Sequence, residues 1–494
     1  MIVSPKERSP KRPLGFIVHD AIGDAGTAWA RLEHFRTDLY GCLGARADAL
    51  FELIDALTGA ARPIRSVAEL TFEPTVRRGW GSLYQALQHG TIDTGEVADL
   101  LAGQVHDTRP DRPVMFAIDV SKYPRPDTRY VPDVGWQYAA ERDRHGGMPV
   151  VPGWAMQWVA QVGLDNTRPR SSWCPPMTLA RVPTTGNAND IAATQITATT
   201  TRVRRHHSDL SPLFLLDIGY CPIYLTQQLP AHAQILVRLR GDRVFHTRAP
   251  DRQPGQIGRP RKHGTRMALD EPDSWPTPDA QHTHTNSAGA RTHTRAWHRM
   301  HPEPRPRRKW AGTDIVEGTL IRQDTTHPSG NIQTWWLWWA GPTDAFDLPA
   351  LAGAYEHRFT IEHGFRFNKQ DLSWTAYTPI HPDQAERWSW LVALAYTQLW
   401  LARPLIADQR MPWEKPRPPA QLSPRRVRRG FRRATADLPT PANAPKPSRP
   451  GPGRPQGSPN TTPRTRQPLI KKDRPANTGH PKGRSPLAKT TTNP

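Results

Sequence analysis

Cysteine is scarce in this chain: Cys42, Cys174 and Cys221 are far apart, odd in number and form no CxxC pair. That excludes a disulfide scaffold and a zinc ribbon, and points to a reducing compartment. Long hydrophobic runs are missing too. The most apolar stretch, Trp388 to Leu401, is short and carries Ser389, Thr397 and Gln398, too polar to span a bilayer. No apolar segment follows the charges and prolines of MIVSPKERSPKRPLGF, so no secretory leader is expected. The expectation is a soluble, cytoplasmic protein without a membrane partner. Apolar residues make up only 36% while prolines number 53, so linker or disordered segments must accompany any globular part. Acids nearly vanish from the last fifth: residues 403–494 hold 21 Lys and Arg against 4 Asp and Glu, which puts +17 of the formal +21 there. Such a surplus raises affinity for a polyanion. The first 402 residues are nearly balanced, as a folded enzyme domain is.

What is present divides the 494 residues into distinct parts. Residues 1–30 read as a loosely ordered arm. From Trp29 to Gly103 the periodicity is helical: DALFELIDALTG sets Leu50, Phe51, Ile54 and Leu57 on one stripe and stops at Gly59. Residues 1–110 are therefore expected to form an N-terminal helical domain. The basic turn Arg77–Arg78 makes it either a DNA-binding unit or a subdomain that merely packs on the core. VMFAID (114–119), GWAMQWVAQVGLD (153–165) and LFLLDIGY (213–220) read as buried strands, QILVRLRGDRVFHT (234–247) as a strand and turn, and 190–207 as a helix. Residues 249–309, rich in Pro, His, Arg and Thr, read as an insertion with much loop. Strand-like composition returns in NIQTWWLWWAG (331–341), and LAGAYEHRFTIEHGFRFNKQDL (351–372) predicts one long helix.

Two apolar runs end in an aspartate, Asp119 and Asp217. A buried carboxylate costs several kcal/mol unless paired or metal-bound, so a pair of such runs suggests a shared cation site. Carboxylate oxygens are the ligands that hard Mg²⁺ prefers, and two such ions serve phosphodiester chemistry. Strand-end capping is the alternative for either acid. In the 351–372 helix, Tyr355, Arg358, Glu362 and Lys369 fall within about 60° of one another on a wheel of about 100° per residue, with Arg366 beside them. An exposed salt-bridged helix face is the competing explanation.

The spacing Y-x₂-R-x₃-E-x₆-K from Tyr355 to Lys369 resembles the signature around the last catalytic acid of bacterial insertion-sequence DDE transposases. Together with FAIDVSKYP and LLDIGY, the resemblance extends from about residue 110 to 400. It implies an α/β fold: a ribonuclease-H-like catalytic core over 111–402, interrupted by a β-rich insertion at about 235–345. Asp119 would lie on its first strand, Asp217 after its fourth and Glu362 on a later helix. It also implies catalysis and metal binding by Asp119, Asp217 and Glu362 with two Mg²⁺ ions, Mn²⁺ substituting, and DNA-phosphate contacts from Tyr355, Arg358, Arg366 and Lys369. The partners implied are double-stranded DNA, as element ends and as target, and further copies of the chain in a homodimer or higher assembly on DNA. Asp127, Asp209 and Asp242 remain open as the second ligand, Asp217 being placed ahead because it follows a continuous apolar run. A nuclease or junction resolvase of the same fold, and an inactivated DNA-binding descendant, are the rival functions.

Other features have two readings each. Trp335, Trp336, Trp338 and Trp339 suit either a core strand or a stacking platform for an unstacked base, in which Trp336 and Trp338 are the DNA-contact candidates. GRPRK (258–262) and PGRPQG (452–457) contain the Gly-Arg-Pro core of minor-groove hooks, a triplet that Pro-rich sequence also produces by chance. The basic segment 403–438 packs six arginines into SPRRVRRGFRR, of which Arg425, Arg426, Arg428 and Arg429 are expected on DNA phosphate. Residues 439–494 are expected to be a disordered basic tail. The histidines from His282 to His301 show no ligand spacing.

Overall fold

The structure, a computed structural model, describes residues 25–105, 113–126, 130–138, 150–164, 172–252, 254, 257–286, 288–302, 315–447, 457 and 466–469. The first 24 residues of the expected arm, the alternative ligand Asp127, all of PGRPQG but its last glycine, and most of the basic tail lie outside the described residues.

The chain is mixed α/β, built on a large and mostly antiparallel sheet. Four helices come first: α1 (Ala25–Gly41), α2 (Ala47–Gly59), α3 (Trp80–His89) and α4 (Thr94–Ala102). Then follow β1 (Met115–Pro124), β2 (Gly135–Tyr138), β3 (Val150–Val162), β4 (Pro176–Val182), α5 (Ala188–His206), β5 (Leu213–Leu216), α6 (Pro222–Gln227) and β6 (Gln234–Arg238). β3 lies antiparallel between β1 and β4 and also pairs with β2, whereas β1–β5 and β5–β6 are parallel. The strand order across this half is thus β4-β3-β1-β5-β6. Strands buried on both faces read as unbroken apolar runs, which is why Leu213–Leu216 and Ile235–Val237 are fully covered.

Between β6 and the returning strand, the chain makes β7 (Val244–His246), β8 (Arg266–Ala268), β9 (Ala280–Thr285), β10 (Arg291–Pro302) and β11 (Gly318–Thr326) before β12 (Ile332–Ala340) pairs antiparallel with β6. The insertion therefore continues the main sheet. Over 249–309, expected to be an insertion with much loop, β8, β9 and β10 supply the strands and most of the other described residues are turn or loop. His and Thr alternate along AQHTHT and are covered and exposed in turn, the period of a half-buried strand. The four tryptophans of β12 are core: Trp338 has no exposed surface, stacks on Phe245 at 5.7 Å and donates from its indole N–H to Thr226 Oγ1. Trp336, 6% exposed, packs against Trp275 and Trp297. Neither is presented to a base.

The single helix expected over 351–372 is broken. α7 (Leu348–Ala354) ends, residues Tyr355–Phe359 tighten into a 3₁₀ turn, and α8 (Thr360–Gln370) follows. Tyr355 packs edge-on against Trp335 of β12 at 5.3 Å, so a long-range aromatic contact accompanies the tighter turn. α9 (Pro382–Ala402) is the buried spine, covered by α1, α2, α3 and, from the far end of the chain, α10 (Pro424–Asp437). The N-terminal helices share one continuous hydrophobic core with the sheet.

α10 occupies most of the SPRRVRRGFRR part of the basic segment. After it, residues 439–447 form an ordered strap, which corrects the expectation of disorder from 439 onward. The strap supplies carbonyls to arginines of the helical region: Pro439 to Arg36, Ala442 to Arg77 and Asn443 to Arg78. Arg36 is itself buried in a bidentate pair with Asp55, and Arg77 and Arg78 both pair with the buried Glu52. The basic turn at 77–78 is thus spent on internal acids. No helix among the described residues is long and apolar enough to cross a membrane.

Candidate active site

The parallel register of β1 and β5 aligns Ile118 with Leu216. The next residue on each is an aspartate, so Asp119 and Asp217 emerge side by side where β5 ends. Arg358, in the 3₁₀ turn before α8, reaches over both. Its Nη1 donates to Asp119 Oδ2 at 3.1 Å, its Nη2 donates to Glu362 Oε1 at 3.1 Å, and Nη2 lies 3.9 Å from Asp217 Oδ2. One guanidinium, only 5% exposed, thus gathers all three acids. Glu362 is the outermost, its side chain 52% exposed, against 35% for Asp217 and 23% for Asp119.

Burial raises the Asp119 carboxyl above the usual carboxylate range, and neighbouring Asp217 adds to this, while Arg358 and the Val120 N–H pull it back only in part. The guanidinium is affected in the opposite sense. Burial opposes its charge, but Asp119, Tyr355, Asp217 and Glu362 outweigh that and hold it above its ordinary value. Tyr220, three residues after Asp217, is buried and held well above the tyrosine range by burial and then by Asp119. It belongs to the site and was missed from the sequence, although LLDIGY contains it. Burial, then Lys122, lowers the Lys369 ammonium, opposed by Asp119. Lys122, three residues along β1 from Asp119, is the other cation that the spacing did not single out.

α8 is tied to the sheet by its apolar stripe. Phe365 meets Trp158 of β3 edge-on at 6.1 Å, and Ile361 is buried beside it. Gly364, a poor helix residue, has a packing reason: a Cβ there would collide with the buried Cys174 Sγ just before β4. The opposite face presents Glu362 and Arg366 to solvent, with Lys369 half-buried over Trp374. Tyr355 is fully buried and its hydroxyl has no hydrogen-bond partner among the described residues.

An oxygen-only donor set of three carboxylates, two fixed on neighbouring strands, suits a hard divalent cation. Among the described residues, however, no three acid, His or Cys side chains converge closely enough to hold one ion as they stand. The guanidinium of Arg358 stands where such a cation's charge would be needed. The alternative second ligands are elsewhere: Asp242 is exposed on the turn after β6, and Asp209 is exposed before β5.

Of the arginines expected on DNA phosphate in α10, Arg426, Arg428 and Arg429 are turned inward, whereas the Arg425 side chain stays 63% exposed. Arg425 forms a bidentate pair with Asp371, Arg426 pairs with Asp408, and Arg429 pairs with Glu414. Arg428 is buried against the Leu57 carbonyl, and burial pulls its guanidinium down to about 10. A guanidinium satisfied internally offers little to a phosphate, which counts against Arg426, Arg428 and Arg429 as DNA contacts, while Arg425 keeps most of its side chain at the surface.

A protein-family model described as DDE superfamily endonuclease matches residues 38–304, from α1 through β10, and so includes Asp119 and Asp217. No curated protein matches the chain.

Proposed function

Because the chain belongs to the DDE superfamily endonucleases, we propose that it is a DNA transposase of the bacterial insertion-sequence type. Asp119, Asp217 and Glu362 are its catalytic acids. The observation that carries this reading is their convergence on Arg358 from two adjacent strand ends and one helix. The order β4-β3-β1-β5-β6, with only the last two pairings parallel, supports a ribonuclease-H-like core over 111–402. On this reading β7–β11 form the insertion, and Tyr355, Arg358, Glu362 and Lys369 are the signature residues. Residues 1–110 are then the N-terminal helical unit.

The reaction has two phosphoryl transfers. Water attacks the phosphorus at the element end, the P–O3′ bond breaks, and the departing oxygen takes a proton to become a 3′-hydroxyl. That hydroxyl then loses its proton, attacks a target phosphodiester and expels the target's 3′-oxygen. Mg²⁺ or Mn²⁺, held as a pair by the three carboxylates, would activate the attacking oxygen and stabilise the leaving one. The chain's own contribution is placement. The β1–β5 ladder fixes the spacing of Asp119 and Asp217, while α8 carries the exposed Glu362 over them. Arg366 and Lys369, the accessible cations of α8, hold DNA phosphates. Tyr355, buried against Trp335, and Arg358, paired to the acids, position the site rather than touch the duplex, which departs from the expectation for those two. Synapsis of two ends requires at least a dimer on DNA. A cytoplasmic, nucleoid-associated enzyme fits this role.

The test is cleavage of a labelled end-bearing duplex in Mg²⁺ by wild type, Asp119→Asn, Asp217→Asn and Glu362→Gln, with binding followed in parallel. Each variant should bind and lose cleavage by orders of magnitude, because the amide keeps the shape but lacks the charge that holds a hard cation. Wild-type cleavage by Asp119→Asn or Glu362→Gln would remove that acid from the site and overturn the mechanism. Cleavage without joining to target DNA would instead make the protein a nuclease or resolvase.

A further inference from the structure

With the α10 arginines paired to carboxylates, the question is which cations remain available. Among the described residues no ion pair engages Arg248, Arg259, Arg261, Lys262 or Arg299, all exposed. All five lie in the insertion, and two of them, Arg248 and Arg299, line one cleft of about 260 Å³ together with Thr247, Thr277, His298 and Asp279.

The cleft is built rather than incidental. β7 and β10 pair His246 with His301, and Arg248, two residues past the end of β7, and Arg299, two residues before His301, line the same opening. Two like charges lining one opening favour a counter-ion between them. Arg299 sits on a bulge, where the register slips between Trp297 and Met300, and its backbone has φ 51°, a left-handed conformation that a non-glycine residue adopts at a cost. The lining contains one carboxylate, Asp279, and its Oδ2 accepts the His298 backbone N–H at 2.7 Å. The Thr247 and Thr277 hydroxyls complete a lining suited to an anion.

The loop between β7 and β8 leaves from this wall and carries Arg259, Arg261 and Lys262, the GRPRK segment. Its base is clipped shut. Gly264 N donates to Thr247 O at 2.9 Å, Thr247 N to Thr265 O at 3.0 Å, and Thr265 N to Thr247 Oγ1 at 2.8 Å. A side chain at Gly264 would strike Thr247 Oγ1 and the Arg248 carbonyl. Three imidazoles close the clip: His263 Nδ1 lies 2.9 Å from His301 Nε2, and the His246 ring is 5.0 Å from that of His263. The clip fixes where the loop that carries these cations leaves and rejoins the wall of the cleft.

We infer that the Arg248–Arg299 cleft and the Arg259–Lys262 loop form a second DNA-contact site, which takes backbone phosphates of a duplex also engaged at the acids. The inference rests on the transposase reading for its partner. Six strand spacings of about 4.8 Å separate β1 from β7, so the site lies roughly 29 Å along the sheet from Asp119, within reach of one bound duplex.

The test uses the full chain and a labelled duplex, with affinity measured by fluorescence anisotropy across a salt series. The variants are Arg248→Gln/Arg299→Asn, Asn being tolerant of left-handed backbone, and Arg259→Ala/Arg261→Ala/Lys262→Ala. Removing one cation from a phosphate should flatten the log affinity–log salt slope by about 0.9. The cleft pair should therefore lower the slope by nearly 2 and weaken binding at least 10-fold at low salt. Unchanged slope and affinity in both variants would overturn the site. Saturation of the cleft by inorganic phosphate in wild type, with an unchanged DNA slope in the variants, would overturn it equally. Asp119→Asn is assayed alongside: if it still cleaves, the endonuclease mechanism fails, whereas the cleft is judged on salt slope alone.

Discussion

Replacing Gly364 by alanine tests whether the packing of α8 on the segment before β4 is what places Glu362. In an ordinary helix interior the change stabilises by about 1 kcal/mol, since glycine carries the larger entropy loss. Here the new methyl falls on Cys174 Sγ. That sulfur has little room to give way: Cys174 is 3% exposed, its backbone N–H is bound by the Tyr396 hydroxyl at 2.9 Å, and its Sγ lies 3.7 Å from the same oxygen. Overpacking at such a point costs about 1–3 kcal/mol, so against the gain of about 1 kcal/mol Gly364→Ala should lose up to about 2 kcal/mol net. The helix relieves the clash by moving away from β4 and carries Glu362, half a turn earlier, with it. A displacement of about 1 Å at a catalytic group costs roughly 10²-fold in rate, so cleavage should fall far more than stability alone explains. Cys174→Ala removes the obstacle. The double variant should regain most of both losses, a coupling of about 1–3 kcal/mol in a denaturant-unfolding cycle. A Gly364→Ala protein as stable and active as wild type, or a double variant no better than the single, would refute this coupling.

Truncation after residue 447 should leave the unfolding midpoint unchanged and weaken DNA binding. Truncation after 438 strips the carbonyl partners of Arg36, Arg77 and Arg78 and should cost a few kcal/mol in denaturant unfolding. Burial, then His263 and His246, lowers His301 to about 4, against an ordinary value near 6.5. Below that ordinary value the unfolded chain takes up a proton that the folded chain refuses, so His301's contribution to stability is complete above pH 6.5 and lost as pH falls toward 4. His301→Gln should show a shallower fall in denaturation midpoint over that window, and an equal fall would exclude His301 as its source. Trp338→Ala, which empties a fully buried site and removes the indole donor to Thr226 Oγ1, should cost about 3–5 kcal/mol in unfolding while the folded fraction still cleaves.

The placement of Asp119 and Asp217 was legible because a buried strand must be apolar along its whole length, so an acid at its end marks where the sheet meets solvent. The four-residue separation of Arg358 and Glu362 was legible for a similar reason, since it survives the break in the helix. The break itself was not. Nothing in YEHRF is a helix breaker, and the turn tightens where Tyr355 meets Trp335, twenty residues away. Nor could the fate of the α10 arginines be read locally, since Asp371 lies 54 residues from Arg425. Charge patterning reported the cations correctly but could not show that the few acids of the basic segment itself, Asp408 and Glu414, fold back onto Arg426 and Arg429. In β9 and β10, composition misled, because His and Arg suggest loop unless the alternating threonines are weighed first.

The pairing of β6 with β12 sets the order in which the protein comes into being. Asp119 and Asp217 leave the ribosome about 145 residues or more before Glu362, which at about 5–20 residues per second is a delay of at least roughly 7–29 s. During that time β5 and β6 can align on β1, but β6 has an open edge until the whole insertion has folded and β12 returns to cover it. Only then do Trp335 and Phe359 meet to seat the turn that carries Arg358, followed by α8. Closing so distant a pairing is slow. A nascent chain thus passes through a long interval in which it has two of its acids but neither the third nor the guanidinium that gathers them, and it becomes competent to cut DNA only as its last strand locks in.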